Sequence, residues 1–231
     1  MDTIARGLWR GLLLIASGEP ELYRIIWLSL QVSGSAVVLA ALAGCPLGAA
    51  LALSRFPGRR AVVGLLNTCM GLPPVVVGLT LYLLLSRSGP LGALGLLFTP
   101  AAMIAAQALL ATPIVAALCL AAVAEVSPQV REAALGLGAS PLQATLVVVR
   151  EARFAMMAAV IAGFGRVIAE VGAVMMIGGN IAGYTRVMTT AIALDTAKGD
   201  FELAIGLGLV LICLAFALNA GLQALQGTGR R

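Results

Sequence analysis

Histidine is absent from this chain of 231 residues, and its four cysteines stand singly in apolar runs. Without histidine, a Ser-His-Asp triad and a histidine general base are excluded. The isolated cysteines lack the paired spacings of a zinc site and are expected to be small buried apolar residues. A Gly-x-x-x-x-Gly-Lys-[Ser/Thr] phosphate loop is also missing. The sequence therefore predicts that this chain binds no cofactor or metal and hydrolyses no nucleotide itself.

Charged residues are scarce, at 11% of the chain, whereas 61% of the residues are hydrophobic. A soluble domain is typically about one quarter charged, and a chain of this length accommodates a handful of spans of roughly 20 residues. These properties predict an all-α polytopic protein surrounded by membrane lipid. The net charge of +5 is attributed to basic residues on the cytoplasmic side of the spans, so no nucleic-acid partner is expected.

Five transmembrane helices are predicted from the apolar runs. They cover about residues 25–53, 61–85, 99–124, 154–177 and 201–225.

The segments outside the spans complete the predicted organisation. Residues 1–24 are interpreted as an amphipathic interfacial helix, with a frayed terminus as the alternative. Residues 25–225 form the transmembrane domain, which includes a charged loop at 125–153, and residues 226–231 form a tail. A basic turn at 55–60 marks the cytoplasmic side. Five spans then place the N-terminus outside and the C-terminus in the cytoplasm.

Small residues recur along the first span and predict that one of its faces packs closely on a neighbouring helix. They are Ser33, Gly34, Ala36, Ala40, Gly44 and Gly48.

Pro73 and Pro74 lie near the middle of the second span. Each proline leaves a backbone carbonyl without its helical donor, which hydrocarbon tolerates only where the break faces protein or a wet cavity. Two interpretations are equally favoured, a kink required for packing and a lining of a transport pathway.

Arg166 and Glu170 lie one helical turn apart in the fourth span. An unpaired arginine at this depth costs at least about 2.5–3.5 kcal/mol, so the two side chains are expected to pair. The pair is interpreted as a structural ion pair or as a pathway or gate element. A third hypothesis is a membrane-embedded lipid-phosphate enzyme that uses both residues. It is less favoured because such enzymes cluster several acidic or histidine side chains at one depth.

The loop at 125–153 contains two helix-start signals, Ser127-Pro128 and Ser140-Pro141, on either side of Gly138. They predict one short helix ending near Gly138 and a second one after it. Glu132 projects from the first helix. Ala133 and Ala134 keep the surface beside it small enough to enter a groove, so the loop is predicted to dock on a partner.

The run Glu132-Ala133-Ala134, followed after three residues by Gly138, resembles the coupling-loop signature of the permease subunits of type I ABC importers. The resemblance implies their fold and a homodimer of permeases in a prokaryotic inner or plasma membrane. It also implies two ATP-binding subunits, which hold ATP and Mg²⁺ and grip this loop. An extracytoplasmic binding protein would deliver the cargo.

Three further segments, at 71–78, 163–172 and 177–181, are similar to those of the molybdate and tungstate permeases, with the tungstate branch the nearer. The cargo implied by this resemblance is an oxyanion, with tungstate first and molybdate or sulfate as alternatives. Such an oxyanion is a tetrahedral dianion. The positive charge of Arg166 would help this dianion to cross the membrane.

Overall fold

The computed structural model describes Trp9, Leu13 and residues 18–228, and every regular element in these residues is helical. The predicted all-α class is therefore confirmed. In chain order the helices are α1 Pro20–Leu53, α2 Arg59–Met70, α3 Pro74–Leu85, α4 Pro100–Ala124, α5 Pro128–Gly136, α6 Pro141–Glu151, α7 Arg153–Ile168, α8 Gly172–Gly178, α9 Met188–Lys198 and α10 Phe201–Thr228, with a 3₁₀ turn at Gly92–Leu94 between α3 and α4.

Helix α1 begins at Pro20, five residues earlier than the predicted span. Gly18 has a φ of +70°, which turns the chain, and Pro20 suits the first position of a helix because that position needs no N–H donor. Residues 20–24 of the predicted interfacial segment thus belong to α1. Apart from Trp9 and Leu13, residues 1–17 lie outside the described part of the chain.

Two helices, α1 and α4, are each long and apolar enough to cross a membrane. Two further spans are bent pairs, α2 with α3 at 92° and α7 with α8 at 61°, so the described residues provide up to four spans by length and composition. In α10, the apolar stretch Phe201–Ala217 is shorter. The membrane-spanning architecture is confirmed, whereas the count of five spans plus an interfacial helix stays a prediction.

The core lies where α1, α4 and α7 pack together. Its buried side chains are mostly small or β-branched, which allows the helix backbones to approach closely. They are Ala36, Val37 and Ala40 of α1, Ala111, Val115 and Cys119 of α4, and Ala159 and Val167 of α7.

Five of the six small residues of α1 are buried: Gly44 and Gly48 lie directly against α4, Ala36 and Ala40 belong to the core cluster that α4 shares, and Ser33 is the fifth. The exception is Gly34, which is half-buried and would meet nothing within 4 Å if it carried a Cβ atom. It lies off the row formed by Ala36, Ala40, Gly44 and Gly48, because that row follows the four-residue spacing of one helix face. The prediction was therefore wrong for Gly34.

Gly48→Ala is expected to destabilise the protein. A Cβ atom at Gly48 would overlap the backbone oxygen of Ala116 and lie 2.8 Å from both Cys119 Cβ and Leu120 N. Since these are backbone and core atoms, α1 and α4 must separate, which costs about 1–3 kcal/mol. The unfolding temperature of the purified protein measures the effect. Gly34→Ala is the matched control in the same helix. An equal loss in both variants would contradict the assigned contact.

Candidate functional site

The charged loop forms two helices, as predicted. Helix α5 follows Ser127, and Gly138, with a φ of +88°, reverses the chain before α6. A capping box fixes the start of α6. Gln143 N donates to Ser140 Oγ at 3.3 Å, and Ser140 N donates to Gln143 Oε1 at 2.8 Å. Residues 127–151 are called the coupling segment below.

The coupling segment presents the predicted docking residues on its surface. Glu132, Ala133 and Gly138 are exposed, and Ala134 is half-buried. Helix α5 buries none of its side chains, so a change on its surface leaves the core intact.

Exposed leucines surround this surface, and the sequence analysis missed them. Leu137 is 90% exposed, Leu142 70% and Leu146 58%. The signal that could have identified them is the presence of large apolar residues inside a charged loop. Apolar side chains gathered at the surface beside charged ones are typical of protein interfaces. The geometry of α5 and α6 therefore fits docking on a partner protein.

The second half of the coupling segment is fixed to the membrane helices. Val148 of α6 is buried with Ala49 of α1, Val123 of α4 and Ala152, which directly precedes α7. Helix α7 then runs for 16 residues, about 24 Å at 1.5 Å per residue. Helix α7 thus connects the coupling segment directly to the end at which Arg166 lies.

The ion pair Arg166–Glu170 lies at that far end. Arg166 Nη1 is 2.9 Å from Glu170 Oε2, and the arginine side chain is 49% exposed whereas the glutamate side chain is 8% exposed. The predicted contact at one-turn spacing is present in the structure. Half of the Arg166 side chain is exposed, so some of its guanidinium N–H groups can donate to another ligand.

Glu170 also forms the break between α7 and α8. Its Oε1 accepts hydrogen bonds from Gly172 N at 2.9 Å and Ala173 N at 3.3 Å, and its backbone oxygen accepts one from Thr189 Oγ1 at 2.9 Å. The carboxylate therefore takes the N–H donors that a continuous helix would direct to its own carbonyls. The fourth span was predicted as one helix, and this prediction was wrong because the competing acceptor is a side chain.

The break predicted at Pro73 and Pro74 is present between α2 and α3. Helix α3 packs against α8, where Gly78 is so close to Ala173 that a Cβ atom on Gly78 would lie 2.8 Å from Ala173 Cα. The two helix breaks are thereby brought together. Pro73 itself is exposed and Pro74 half-buried, and neither lines the cleft described next.

A small cleft lies between the two breaks. It has room for one water-sized molecule, about 10 Å³. Its lining includes Arg166, Glu170 and Gln107, together with Met70 and Leu72 from the α2–α3 break. An oxyanion does not fit into a space of this size.

Gln107 is a polar member of the cleft that the sequence analysis missed. Its Nε2 donates to the Val167 backbone oxygen at 3.2 Å, which satisfies a carbonyl at the end of α7. Its Oε1 is buried and has no hydrogen-bond partner in the structure. A single amide inside the apolar run of α4 was the signal that would have identified it. The cleft thus holds a cation, an anion and an unsatisfied acceptor.

The residues of the loop before α9 differ in burial. Thr185 is fully buried, and its Oγ1 donates to Gly178 O at 2.6 Å, so it supports the loop from within. Tyr184 is half exposed, and Arg186 lies 3.8 Å from Glu21 Oε1. Asn180, with a φ of +49°, lies in the turn that follows α8.

Comparisons with known proteins place the chain in a transport family. Residues 44–228 match the family model described as "Binding-protein-dependent transport system inner membrane component". The chain is 42% identical over 226 residues to the "Tungstate uptake system permease protein TupB" of Peptoclostridium acidaminophilum, covering 98% of this chain and 99% of that protein. It is 44% identical over 204 residues to a "Probable anion ABC transporter permease protein" of Haloferax volcanii, covering 86% and 88%.

More distant similarity extends to other cargoes. The "Sulfate transport system permease protein CysT" of Escherichia coli is 32% identical over 185 residues, covering 77% of this chain and 67% of that protein. Among solved structures, an inward-facing conformation of the MetNI methionine ABC transporter superposes with a TM-score of 0.75 at 19% identity, covering 93% of this chain and 100% of that one. The structural likeness concerns the fold, which is that of a type I ABC permease.

Proposed function

Because the chain belongs to the family of binding-protein-dependent transport system inner membrane components, we propose that it carries an oxyanion, tungstate before others, across the membrane as the permease of an ABC importer. The chain is a transport permease and not an enzyme. The hypothesis of a lipid-phosphate enzyme is therefore rejected, because the chain belongs to a transport family. One observation carries the proposal: a half-exposed arginine stands at a helix break that α7 joins to the coupling segment.

The cargo is inferred from the charge of Arg166 and from the cargoes of related permeases. The guanidinium of Arg166 offers N–H donors in a planar fork that suits oxyanions, while Glu170 neutralises it when no cargo is present. The tungstate permease of Peptoclostridium acidaminophilum matches at 42% identity over nearly the full chain, whereas the sulfate permease of Escherichia coli matches at 32% over a shorter part. Tungstate is therefore favoured over sulfate, and molybdate remains the second candidate.

The energy is supplied from outside this chain. In the proposal, two ATP-binding subunits bind ATP and Mg²⁺, and each receives one coupling segment in a groove. Glu132, Ala133, Ala134 and Gly138 form the contact, and the exposed leucines described above extend it. Closure of the ATP-binding subunits pushes the coupling segment, and α7 transmits the movement to the Arg166–Glu170 pair, which opens. The exposed surface of α5 and the buried base of α6 support this role.

Two copies of the chain enclose the pathway in this proposal. The cleft within one copy holds no more than one water, so the cargo passes where the half-exposed Arg166 side chains of two copies face each other. Pro73 and Pro74 shape this pathway from the adjoining break. An extracytoplasmic oxyanion-binding protein docks on the side of the N-terminus, and the coupling segment and the C-terminus face the cytoplasm.

Uptake into proteoliposomes tests the cargo. The permease is reconstituted with its ATP-binding subunit and its binding protein, and tungstate is supplied on the side of the binding protein. We expect tungstate to accumulate only with ATP, and excess molybdate to compete more strongly than excess sulfate. ATP-driven sulfate uptake without tungstate uptake would contradict the assignment of the cargo. Liposomes without the permease are the control.

A further inference from the structure

Two cysteines from different helices meet in the core. Cys45 Sγ of α1 lies 3.4 Å from Cys119 Sγ of α4, although the residues are 74 positions apart in the chain. We propose that this pair is a thiol modification site, which a hydroperoxide converts to a disulfide joining α1 to α4. A disulfide bond is about 2.05 Å long, so the sulfur atoms need to approach by little more than 1 Å.

The packing of the two helices holds the thiols in this position. Gly44 precedes Cys45, and a Cβ atom on it would lie 3.0 Å from Thr112 O and 3.1 Å from Ala116 N. Gly48, one turn after Gly44, is still closer to α4. Backbones at this separation leave no room for other side chains between them. The close packing of the two helices therefore keeps the two sulfur atoms near each other.

The two thiols differ in access, which assigns them different roles. Cys119 is completely buried, whereas Cys45 is half-buried and lines an open groove of about 510 Å³ between α1, α6 and α7. Arg150 and Arg153 lie beside this groove, and the rest of its lining is apolar. A small hydroperoxide that enters the groove therefore reaches Cys45 first, and Cys119 then acts as the resolving thiol. A resolving thiol next to the thiol that is attacked is a common feature of redox-sensitive cysteines.

The chemistry balances with a hydroperoxide as the oxidant. The Cys45 thiolate attacks one peroxide oxygen, the O–O bond breaks, and hydrogen peroxide yields a sulfenic acid and, after protonation, one water. Cys119 Sγ then attacks the Cys45 sulfur, the S–O bond breaks, and a second water leaves. In total, the two thiols lose two protons and two electrons, and the peroxide is reduced to two water molecules. A thiol reductant reverses the change.

Peptide mapping of the purified full-length protein tests the proposal. After reduction, treatment with hydrogen peroxide and alkylation in denaturant, we expect a Cys45–Cys119 linked peptide that dithiothreitol removes. Cys119→Ser should abolish this peptide and leave a Cys45 sulfenic acid that dimedone captures. Cys45→Ser should leave Cys119 as an alkylatable thiol. Cys213→Ser, which changes an exposed cysteine of α10, is the matched control and should leave the linked peptide unchanged.

Two results would overturn the proposal. The first is a wild-type protein in which Cys45 and Cys119 both stay alkylatable at a peroxide dose that oxidises exposed Cys213. The second is a disulfide that joins Cys45 or Cys119 to another cysteine in preference to each other. Both are read on the wild-type protein, so a serine variant that fails to fold does not affect the decision.

Discussion

Glu132→Arg is expected to leave the protein folded in the membrane and to uncouple tungstate uptake from ATP hydrolysis. Glu132 is exposed on α5, a helix that buries none of its side chains, so the substitution disturbs no packing. In the proposed complex, Glu132 enters a groove of the ATP-binding subunit. Any cation of the groove that pairs with Glu132 would face a like charge in the variant, and such a juxtaposition costs several kcal/mol at an interface. At about 1.4 kcal/mol per factor of ten, affinity falls at least about 100-fold.

Two measurements check this expectation. Co-purification of the ATP-binding subunit with the permease reports docking, and tungstate uptake in proteoliposomes reports coupling. Gln129→Arg is the matched control, because Gln129 is also exposed on α5 and receives the same positive charge outside the Glu132–Gly138 signature. Undiminished uptake by Glu132→Arg would refute the coupling role. Equal losses in both variants would assign the effect to the charge of the segment and not to Glu132.

Glu170→Ala is expected to produce the largest loss of stability among the polar residues of the helix breaks. The substitution removes the ion pair with Arg166 and the acceptor for two backbone N–H groups, those of Gly172 and Ala173. Each buried donor left unsatisfied costs about 1–3 kcal/mol, and the freed donors favour a continuous helix over the break. We expect a lower unfolding temperature together with loss of tungstate uptake.

Glu170→Gln separates the two roles of the side chain. Glutamine keeps an oxygen that accepts from Gly172 N and Ala173 N, but its amide nitrogen faces Arg166 as a donor without charge. Most of the stability should therefore return. If Arg166 and Glu170 gate the pathway, uptake should remain impaired because the arginine no longer has its counter-ion. Uptake at the wild-type rate in a stable Glu170→Gln protein would identify the pair as purely structural.

The helix breaks that follow α2 and α7 differ in whether the sequence predicts them. Proline lacks the N–H group that a helix requires. The local sequence alone therefore determines the break at Pro73 and Pro74, and this break was predicted. The break after Ile168 has no proline. It depends on where the Glu170 carboxylate points, and that depends on Arg166, Thr189 and the packing of α3 on α8.

The same distinction applies to the candidate site. The Glu132–Gly138 spacing and the helix-start signals are local, and they predicted both helices of the coupling segment. The roles of Gln107 and of the exposed leucines were missed because burial is decided by neighbours distant in sequence. Gln107 contacts Val167, 60 positions further along the chain.

The order of residues alone determined the membrane class, the helix termini at proline and glycine, and the two short helices of the charged loop. These features depend on solvation and on backbone chemistry within a few residues. Tertiary packing decided which small residues face α4, where α7 ends, and which two thiols meet. Such contacts join segments that only the folded chain brings within a few ångströms, and no local preference encodes their distances.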